Sequence, residues 1–108
     1  NKLYMTLGTP GGSTIITSVI QTILNVHEFK MSMHEAVNSA RFHHQWMPDS
    51  IRIESDRFDN KLKNQLLNDG YKLNDKGLIG RVDGILIKSN KQLEAGADNR
   101  GDDMAIGF

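Results

Sequence analysis

A strand that ends in a glycine-rich turn and continues directly into a helix dominates the start of this sequence. Residues 3–7 are apolar, aromatic or β-branched, which is typical of a strand, and Gly8 ends the run. From Thr14 to Glu28, apolar residues recur every three or four positions, which predicts a helix with one buried stripe. The stripe comprises Ile15, Ile16, Val19, Ile20, Ile23, Leu24 and Val26. We expect this helix to be internal, because its many β-branched residues require tertiary packing to stabilise it.

Helices and strands alternate along the rest of the chain. Ser32, with Glu35 three residues later, forms a capping box that predicts a short second helix ending near Ser39 or Ala40. Further elements are predicted as a strand at 51–54, a helix at 58–69 closed by Gly70, a strand at 71–73, and a hairpin of strands 80–87 and 92–96. This order favours a single α/β domain over residues 1–108, with helices and strands in α+β layers. Residues outside the chain could complete its sheet.

Composition excludes several classes of function. Hydrophobic residues make up 38% and charged residues 24% of the chain, which is the balance of a globular protein. Basic and acidic residues number 13 each, so no net field attracts nucleic acid or anionic lipid. Cysteine is absent, which excludes disulfides, thiolate zinc sites and a thiol nucleophile. Polar residues interrupt the apolar segment 15–26, so we expect no membrane span of about 20 apolar residues there.

The turn at residues 8–13 is the first candidate site. Gly11 and Gly12 have no side chains to block their N–H groups, and the first amides of a helix lack intrahelical partners. The helix dipole adds roughly half a positive charge at that end, so two adjacent bare amides could hold the oxyanion of an acyl-transfer reaction. A tight turn with Ser13 as helix N-cap is the more common use of such a sequence. A phosphate loop is a further alternative, but the lysine that should precede the serine or threonine is absent.

Residues 41–48 hold the only tryptophan and two of the four histidines. Adjacent histidines in a strand point to opposite faces, so His43 and His44 are poorly arranged to bind one metal ion. We expect Arg41 and the two imidazoles to tie a loop to neighbouring carbonyl groups instead.

An acidic run at residues 98–103 raises the alternative of a calcium loop. Gly101 is the fourth residue of the run, however, and the distal glutamate of an EF-hand is missing. We expect an ion-paired turn whose exposed pairs contribute little to stability. The sequence thus predicts no metal and no cofactor.

Three motifs together resemble the C-terminal half of the small subunit of γ-glutamyltranspeptidase. They are Gly-Thr-Pro-Gly-Gly-Ser at 8–13, Asn-Ser-Ala-Arg-Phe-His-His-Gln-Trp-Met-Pro-Asp at 38–49, and the ending from Ala-Asp-Asn-Arg at 97–100 to Gly-Phe at 107–108. The motifs occur in order along nearly the whole chain. The resemblance implies an N-terminal-nucleophile (Ntn) hydrolase, in which this chain forms part of a four-layer αββα sandwich.

The family's chemistry is what the resemblance implies for function. A precursor cleaves itself, and the threonine exposed at the start of the small subunit attacks a γ-glutamyl amide such as glutathione, with its own α-amino group as base. The acyl-enzyme is resolved by water or by an acceptor amino acid or peptide. The family's oxyanion-hole amides correspond to Gly11 and Gly12, whereas the glutamate-binding residues and the nucleophile precede Asn1. The implied partners are the substrate, the large subunit and the N-terminal half of the small subunit, with a periplasmic or secreted location.

Three positions depart from the family pattern. Ala40 and Asn99 stand where proline is usual or frequent, and Asp83 falls where glutamine is common, which leaves open a parent related to the cephalosporin acylases. We expect the isolated chain to be inactive, because its first threonine, Thr6, lies in a predicted strand. We also expect it to self-associate through apolar surface left bare without the rest of the sandwich. The alternative from another class is a non-catalytic binding module whose turn only caps a helix.

Overall fold

The computed structural model of this protein describes residues 2–107, which group into two compact units, 2–39 with 80–107 and, separately, 40–79. Asn1 and Phe108, the last residue of the third motif, lie outside the described residues. The helices and strands are β1 (Met5–Gly8), α1 (Thr14–His27), α2 (Met33–Asn38), β2 (Phe42–His43), β3 (Ile51–Ile53), α3 (Asn60–Asn68), β4 (Leu73–Asp75), β5 (Asp83–Ile87) and β6 (Leu93–Gly96). This mixture of helix and sheet confirms the predicted α/β class, whereas a single domain over 1–108 stays a prediction.

The first unit contains an antiparallel sheet in the order β1-β5-β6. Gly8 lies opposite Asp83, and Gly84 lies opposite Gly96. The β5–β6 pair is the predicted hairpin, but its first strand begins at 83 rather than 80 because Gly80 has a φ of 66°, outside the extended region. The helices α1 and α2 and the sheet share a core of Val26, Met33, Ala36, Val37, Val82 and Leu86.

The buried residues of α1 are mainly polar, so the prediction that its apolar stripe is buried was wrong, with Val26 as the exception. Its buried residues are Thr14, Ser18, Thr22 and Val26. The exposed apolar residues of the helix are Ile15, Ile16, Ile20, Ile23 and Leu24. A Cβ added at Gly80 would lie 2.7 Å from Ser18 Oγ, so the backbone approaches this side of α1 too closely for large side chains. Periodicity identifies an apolar face of a helix, but it does not identify what covers that face.

The predicted capping box of α2 is confirmed. Ser32 Oγ accepts from the Glu35 N–H at 3.1 Å, and the Glu35 carboxylate accepts from the Ser32 N–H at 2.8 Å. A third acceptor, Glu94 on β6, takes the Met33 N–H at 2.6 Å. The helix ends at Asn38, close to the predicted end near Ser39 or Ala40.

The second unit contains a sheet in the order β2-β3-β4, antiparallel between β2 and β3 and parallel between β3 and β4. Helix α3 connects the two parallel strands, as a crossover requires. Asp59 caps its start by accepting from the Lys61 N–H at 3.2 Å, and Gly70 follows its end with a φ of 90°. The strand expected at 71–73 lies at Leu73–Asp75 instead, since Tyr71 N still donates to Leu66 O of α3. Among the described residues, every helix is too short or too polar to traverse a bilayer.

Candidate active site

The turn between β1 and α1 adopts a backbone conformation that favours glycine. Gly11 has a φ of 138° and Gly12 a φ of 57°, and both residues are exposed. A Cβ at Gly11 would lie 2.5 Å from Thr14 Oγ1, so a side chain here would force Thr14 or the backbone to move. The φ angles of both glycines lie in the region that other residues rarely adopt. The turn therefore depends on these two glycines for its shape as well as for its open surface.

The carbonyl groups of the turn are bonded, while its amides are open. Gly11 O accepts from Thr14 N at 3.1 Å and from Thr14 Oγ1 at 2.9 Å, and Gly12 O accepts from Ile15 N at 3.2 Å. Within residues 2–107, the N–H groups of Gly11 and Gly12 have no acceptor. Ser13 occupies the N-cap position, but its side chain makes no capping hydrogen bond. Two exposed residues whose N–H groups have no acceptor within residues 2–107 thus precede the positive end of a helix of 14 residues, where an anion is favoured.

Two residues that the sequence did not single out, Gly80 and Arg81, lie against this turn. The Arg81 N–H donates to Thr9 Oγ1 at 2.9 Å, and Thr9 Oγ1 donates to Pro10 O at 2.8 Å. A Cβ at Gly80 would lie 3.0 Å from Thr9 Oγ1. The only signal in the sequence was a glycine at the start of a predicted strand, which does not indicate its distant partner.

The side chain of Arg81 is held by the C-terminal acidic run. Its Nε and Nη2 donate to the Asp103 carboxylate, and Nη2 also donates to Asp102 Oδ1 at 2.6 Å. The hydrogen bond from Arg81 holds the pKa of Asp103 below its ordinary value, and the hydrogen bond to Asp103 raises the pKa of Arg81. The ion-paired turn expected at 98–103 is confirmed, and its acidic groups pair with an arginine.

The first half of the same run forms a buried ion pair. Arg100 Nη1 lies 3.0 Å from Asp98 Oδ1, and the two side chains are 1% and 0% exposed. Asp98 Oδ2 accepts from the Val82 N–H at 2.7 Å, and Arg100 Nη2 donates to Ser39 O at 2.7 Å beyond the end of α2. The sequence predicted only exposed pairs here. It was wrong because local spacing reveals a turn but not the helix end against which the turn packs.

Within residues 41–48, Arg41 bonds to a neighbouring backbone carbonyl as predicted, whereas His43 contacts a side-chain amide and His44 Nε2 lies 3.6 Å from Asp49 Oδ1. Arg41 Nη1 donates to Ile79 O at 2.9 Å, and His43 Nε2 lies 3.0 Å from Gln45 Oε1. His43 is buried and His44 is exposed, as alternation along a strand requires. The sequence missed Glu54, whose buried carboxylate accepts from the N–H groups of Arg41 and Ile79 at 2.8 Å each. Over the described part of the chain, no three His, Asp or Glu side chains cluster in a way that could hold a metal ion.

Comparison with known proteins identifies relatives over the full chain. The family model for γ-glutamyltranspeptidase matches residues 1–108. The glutathione hydrolase proenzyme of Escherichia coli K12 is 36% identical over 108 residues, which are 99% of this chain and 18% of that protein. The glutathione hydrolase proenzyme of Pseudomonas aeruginosa is 36% identical over 103 residues, which are 93% of this chain and 18% of that protein. The chain thus spans less than a fifth of the length of these relatives.

Solved structures share the fold. The γ-glutamyltranspeptidase of Pseudomonas nitroreducens in complex with L-DON aligns with a TM-score of 0.88 at 35% identity, covering 97% of this chain and 55% of that chain. An acivicin-inhibited γ-glutamyltranspeptidase, described as having a C-terminus critical for autoprocessing and catalysis, aligns with a TM-score of 0.86 at 38% identity, covering 94% of this chain and 56% of that one. The predicted Ntn-hydrolase fold is confirmed by these matches. From its motifs, its fold and its full-length match to the family model, the chain belongs to the γ-glutamyltranspeptidase family.

Proposed function

We propose that the protein containing this chain cleaves γ-glutamyl amides of the glutathione type and transfers the γ-glutamyl group to water or to an amino acid or peptide. The observation that carries the proposal is the pair of exposed Gly11 and Gly12 amides at the start of α1, which have no acceptor within residues 2–107. Family membership supports it, as do relatives named glutathione hydrolase proenzymes. The two amides have the chemistry of an oxyanion hole, since they offer fixed donors where negative charge develops.

We assign the nucleophile to a threonine outside this chain, exposed when the precursor cleaves itself. Its hydroxyl oxygen bonds to the γ-carbonyl carbon as its α-amino group takes the hydroxyl proton. The tetrahedral oxyanion then accepts from Gly11 and Gly12 until the amine leaves with that proton. Water or an acceptor amine then bonds to the acyl carbon and gives a proton to the α-amino group, which passes it to the threonine oxygen as the ester bond breaks. Thr9 and Thr14 are consistent with a nucleophile outside this chain, because their hydroxyls already donate to Pro10 O and Gly11 O.

The apolar face of α1 fits a partner from the same precursor. Ile16 is 69% exposed and Ile20 50% exposed, and their neighbours on the helix are also uncovered. Contiguous apolar surface of this kind is characteristic of an interface. We assign its cover to the large subunit and the N-terminal half of the small subunit, because the relatives are several times longer than this chain.

Trapping the acyl-enzyme tests the function. The full-length protein, incubated with a chromogenic γ-glutamyl anilide, should release the aniline and carry a γ-glutamyl adduct on the N-terminal threonine peptide, read by mass spectrometry. A crystal structure with a covalent glutamine analogue should place the inhibitor oxygen within hydrogen-bond distance of both glycine amides. An oxygen remote from both amides would refute the oxyanion hole. Turnover of a cephalosporin side-chain amide alone would favour an acylase, and no adduct with any amide would favour a binding module.

A further inference from the structure

We propose that Arg81 is a positioning residue that couples the C-terminal segment 101–103 to the turn carrying Gly11 and Gly12. Its guanidinium holds Asp103, and its backbone N–H holds Thr9, the residue that begins the turn. The catalytic consequence rests on the function proposed above. The mechanical coupling does not, because it follows from contacts within residues 2–107.

The guanidinium of Arg81 is held between the Asp103 carboxylate and the backbone of Gly101. Asp103 accepts from both Nε and Nη2, a bidentate arrangement that fixes the plane of the group as well as its position. A Cβ at Gly101 would overlap the guanidinium, so the arginine packs directly on that backbone. The Asp103 side chain is 22% exposed, whereas that of Asp102 is 96% exposed. Asp103 is therefore the anchor, and the Asp102 pair resembles surface pairs of little energetic value.

The backbone of the same residue reaches the turn. The Arg81 N–H donates to Thr9 Oγ1 at 2.9 Å, and that hydroxyl donates to Pro10 O at 2.8 Å. Gly80 also lies near the turn, since a Cβ added at Gly11 would be in van der Waals contact with Gly80 Cα at 3.7 Å. One residue thus joins the acidic anchor on one side to the start of the glycine turn on the other.

The turn needs such a support because glycine backbones are intrinsically mobile. Gly11 and Gly12 populate many backbone conformations in the absence of neighbours. An oxyanion hole works only when its donors are held in place before the charge develops, and small misplacements cost large factors in rate. Loosening Arg81 should therefore slow the chemical step while leaving the binding of the substrate ground state largely intact.

Substituting Asp103→Asn in the full-length, processed enzyme tests the coupling. We expect kcat for the γ-glutamyl anilide to fall about tenfold with KM within about twofold. The matched control is Asp102→Asn, which removes the same charge from the adjacent, exposed residue and should change kcat less than about twofold. Arg81→Lys should retain more of kcat than Arg81→Gln, because a lysine preserves the charge but not the bidentate geometry. If Asp103→Asn does not yield processed enzyme, the two Arg81 variants carry the test.

A second readout separates the coupling from the proposed function. Amide hydrogen exchange of the peptide covering residues 9–14 should be faster in Asp103→Asn than in Asp102→Asn, whether or not the protein turns over γ-glutamyl substrates. Wild-type protein without turnover would refute the function alone, and the exchange rates would still decide on the coupling. Equal exchange in the two variants, equal kcat, or a change confined to KM would overturn it.

Discussion

At the scale of single residues, the candidate site of this chain consists of backbone groups. Gly11 and Gly12 leave their N–H groups exposed, while the neighbouring hydroxyls of Thr9 and Thr14 bond to carbonyl groups of the turn. A buried oxygen, Ser18 Oγ, lies close to Gly80 and has no hydrogen-bond partner in the described residues. The carbonyl oxygens of Pro10, Gly11 and Gly12 are therefore hydrogen-bonded, whereas the N–H groups of Gly11 and Gly12 have no acceptor within residues 2–107. This is the arrangement an anion requires.

Substituting Gly11→Ala should abolish most of the proposed activity. The new Cβ would lie 2.5 Å from Thr14 Oγ1, and a φ of 138° is strained for alanine, so the amide must move. Losing one oxyanion donor lowers kcat about 100-fold. The matched control is Gly8→Ala, where a Cβ would meet nothing within 4 Å, and its kcat should remain close to that of the wild type. Steady-state kinetics on the full-length enzyme measures both, and a near-normal kcat for Gly11→Ala would refute the assignment.

A substitution at Gly80 should destabilise the support of the turn. An added Cβ would lie 2.7 Å from Ser18 Oγ and 3.0 Å from Thr9 Oγ1, at a φ of 66°. We expect Gly80→Ala to lower the free energy of unfolding by about 1–3 kcal/mol.

Removing the crowding oxygen provides the control for Gly80. Ser18→Ala alone should cost little, because Ser18 Oγ has no hydrogen-bond partner to lose within residues 2–107. The double variant should recover part of the loss caused by Gly80→Ala, and a double-mutant cycle by denaturant unfolding measures the recovery. Strictly additive effects would show that the two residues do not oppose each other.

At the scale of elements, the N-terminal ends of α1 and α2 are built in opposite ways. The first turn of α2 is closed by Ser32, Glu35 and Glu94, which accept or exchange hydrogen bonds with its leading amides. The first turn of α1 has no acidic residue, and Ser13 makes no capping bond. Both helices present a partial positive charge at these ends. The chain neutralises it where the role is structural and leaves it open at the glycine turn.

Glu94 should stabilise α2 in a pH-dependent manner. Lys88 Nζ at 2.5 Å and the Met33 N–H at 2.6 Å lower the pKa of Glu94, with the lysine as the larger cause. A lowered pKa gives stability that is present above the ordinary glutamate pKa of about 4.3 and is lost as the pH falls through the folded-state value. Glu94→Gln should therefore reduce the free energy of unfolding at pH 7 by about 1–2 kcal/mol.

The pH profile provides the decisive control for Glu94. The difference between wild type and Glu94→Gln should shrink as the pH falls below the ordinary glutamate pKa of about 4.3, because the wild-type carboxyl then becomes protonated and, like the amide of the variant, carries no charge. Glu28→Gln removes the same charge from an exposed site and should have little effect at either pH. Unfolding curves at pH 7 and pH 3 measure this, and a difference as large at pH 3 as at pH 7 would contradict the assigned cause.

At the scale of the whole molecule, the dominant feature is the uncovered apolar face of α1. Its side chains Ile15, Ile16, Ile20, Ile23 and Leu24 are each exposed by 39% or more. Water contact with this much apolar side-chain surface is unfavourable by about 25 cal/mol per Å². The helix is amphipathic, but the residues it buries within the described chain are mainly small and polar, so its apolar face is available to a partner.

The isolated chain should therefore self-associate. Ile16→Lys with Ile20→Lys should shift it toward monomer in size-exclusion chromatography with light scattering, since charges interrupt the apolar face. Asn64→Lys with Gln65→Lys, on exposed positions of α3, adds the same charge elsewhere and should not. In the full-length protein, the α1 pair should instead reduce the yield of processed enzyme. A stable, monodisperse wild-type monomer of the chain would contradict this prediction.

Local sequence determined the elements whose signals are contained within a few residues. The capping box at Ser32 and Glu35, the glycine after α3 and the strand–turn–helix around Gly11 each follow from neighbouring residues, and the structure contains all of them. Such features involve hydrogen bonds and dihedral angles that adjacent residues control. Their boundaries shifted by a few residues, because helix and strand ends also depend on what packs against them.

Tertiary structure alone decided which partners meet across the chain. Arg81 meets Asp103 and Thr9, and the polar side of α1 rather than its apolar side lies against Gly80. Sequence periodicity could not supply these facts, since contacts between distant residues depend on close packing that no local window contains. The sequence by itself thus determined the glycine turn and its open amides. The fold decided which distant residues contact that turn, because only packing brings Asp103 to Arg81 and Arg81 to Thr9.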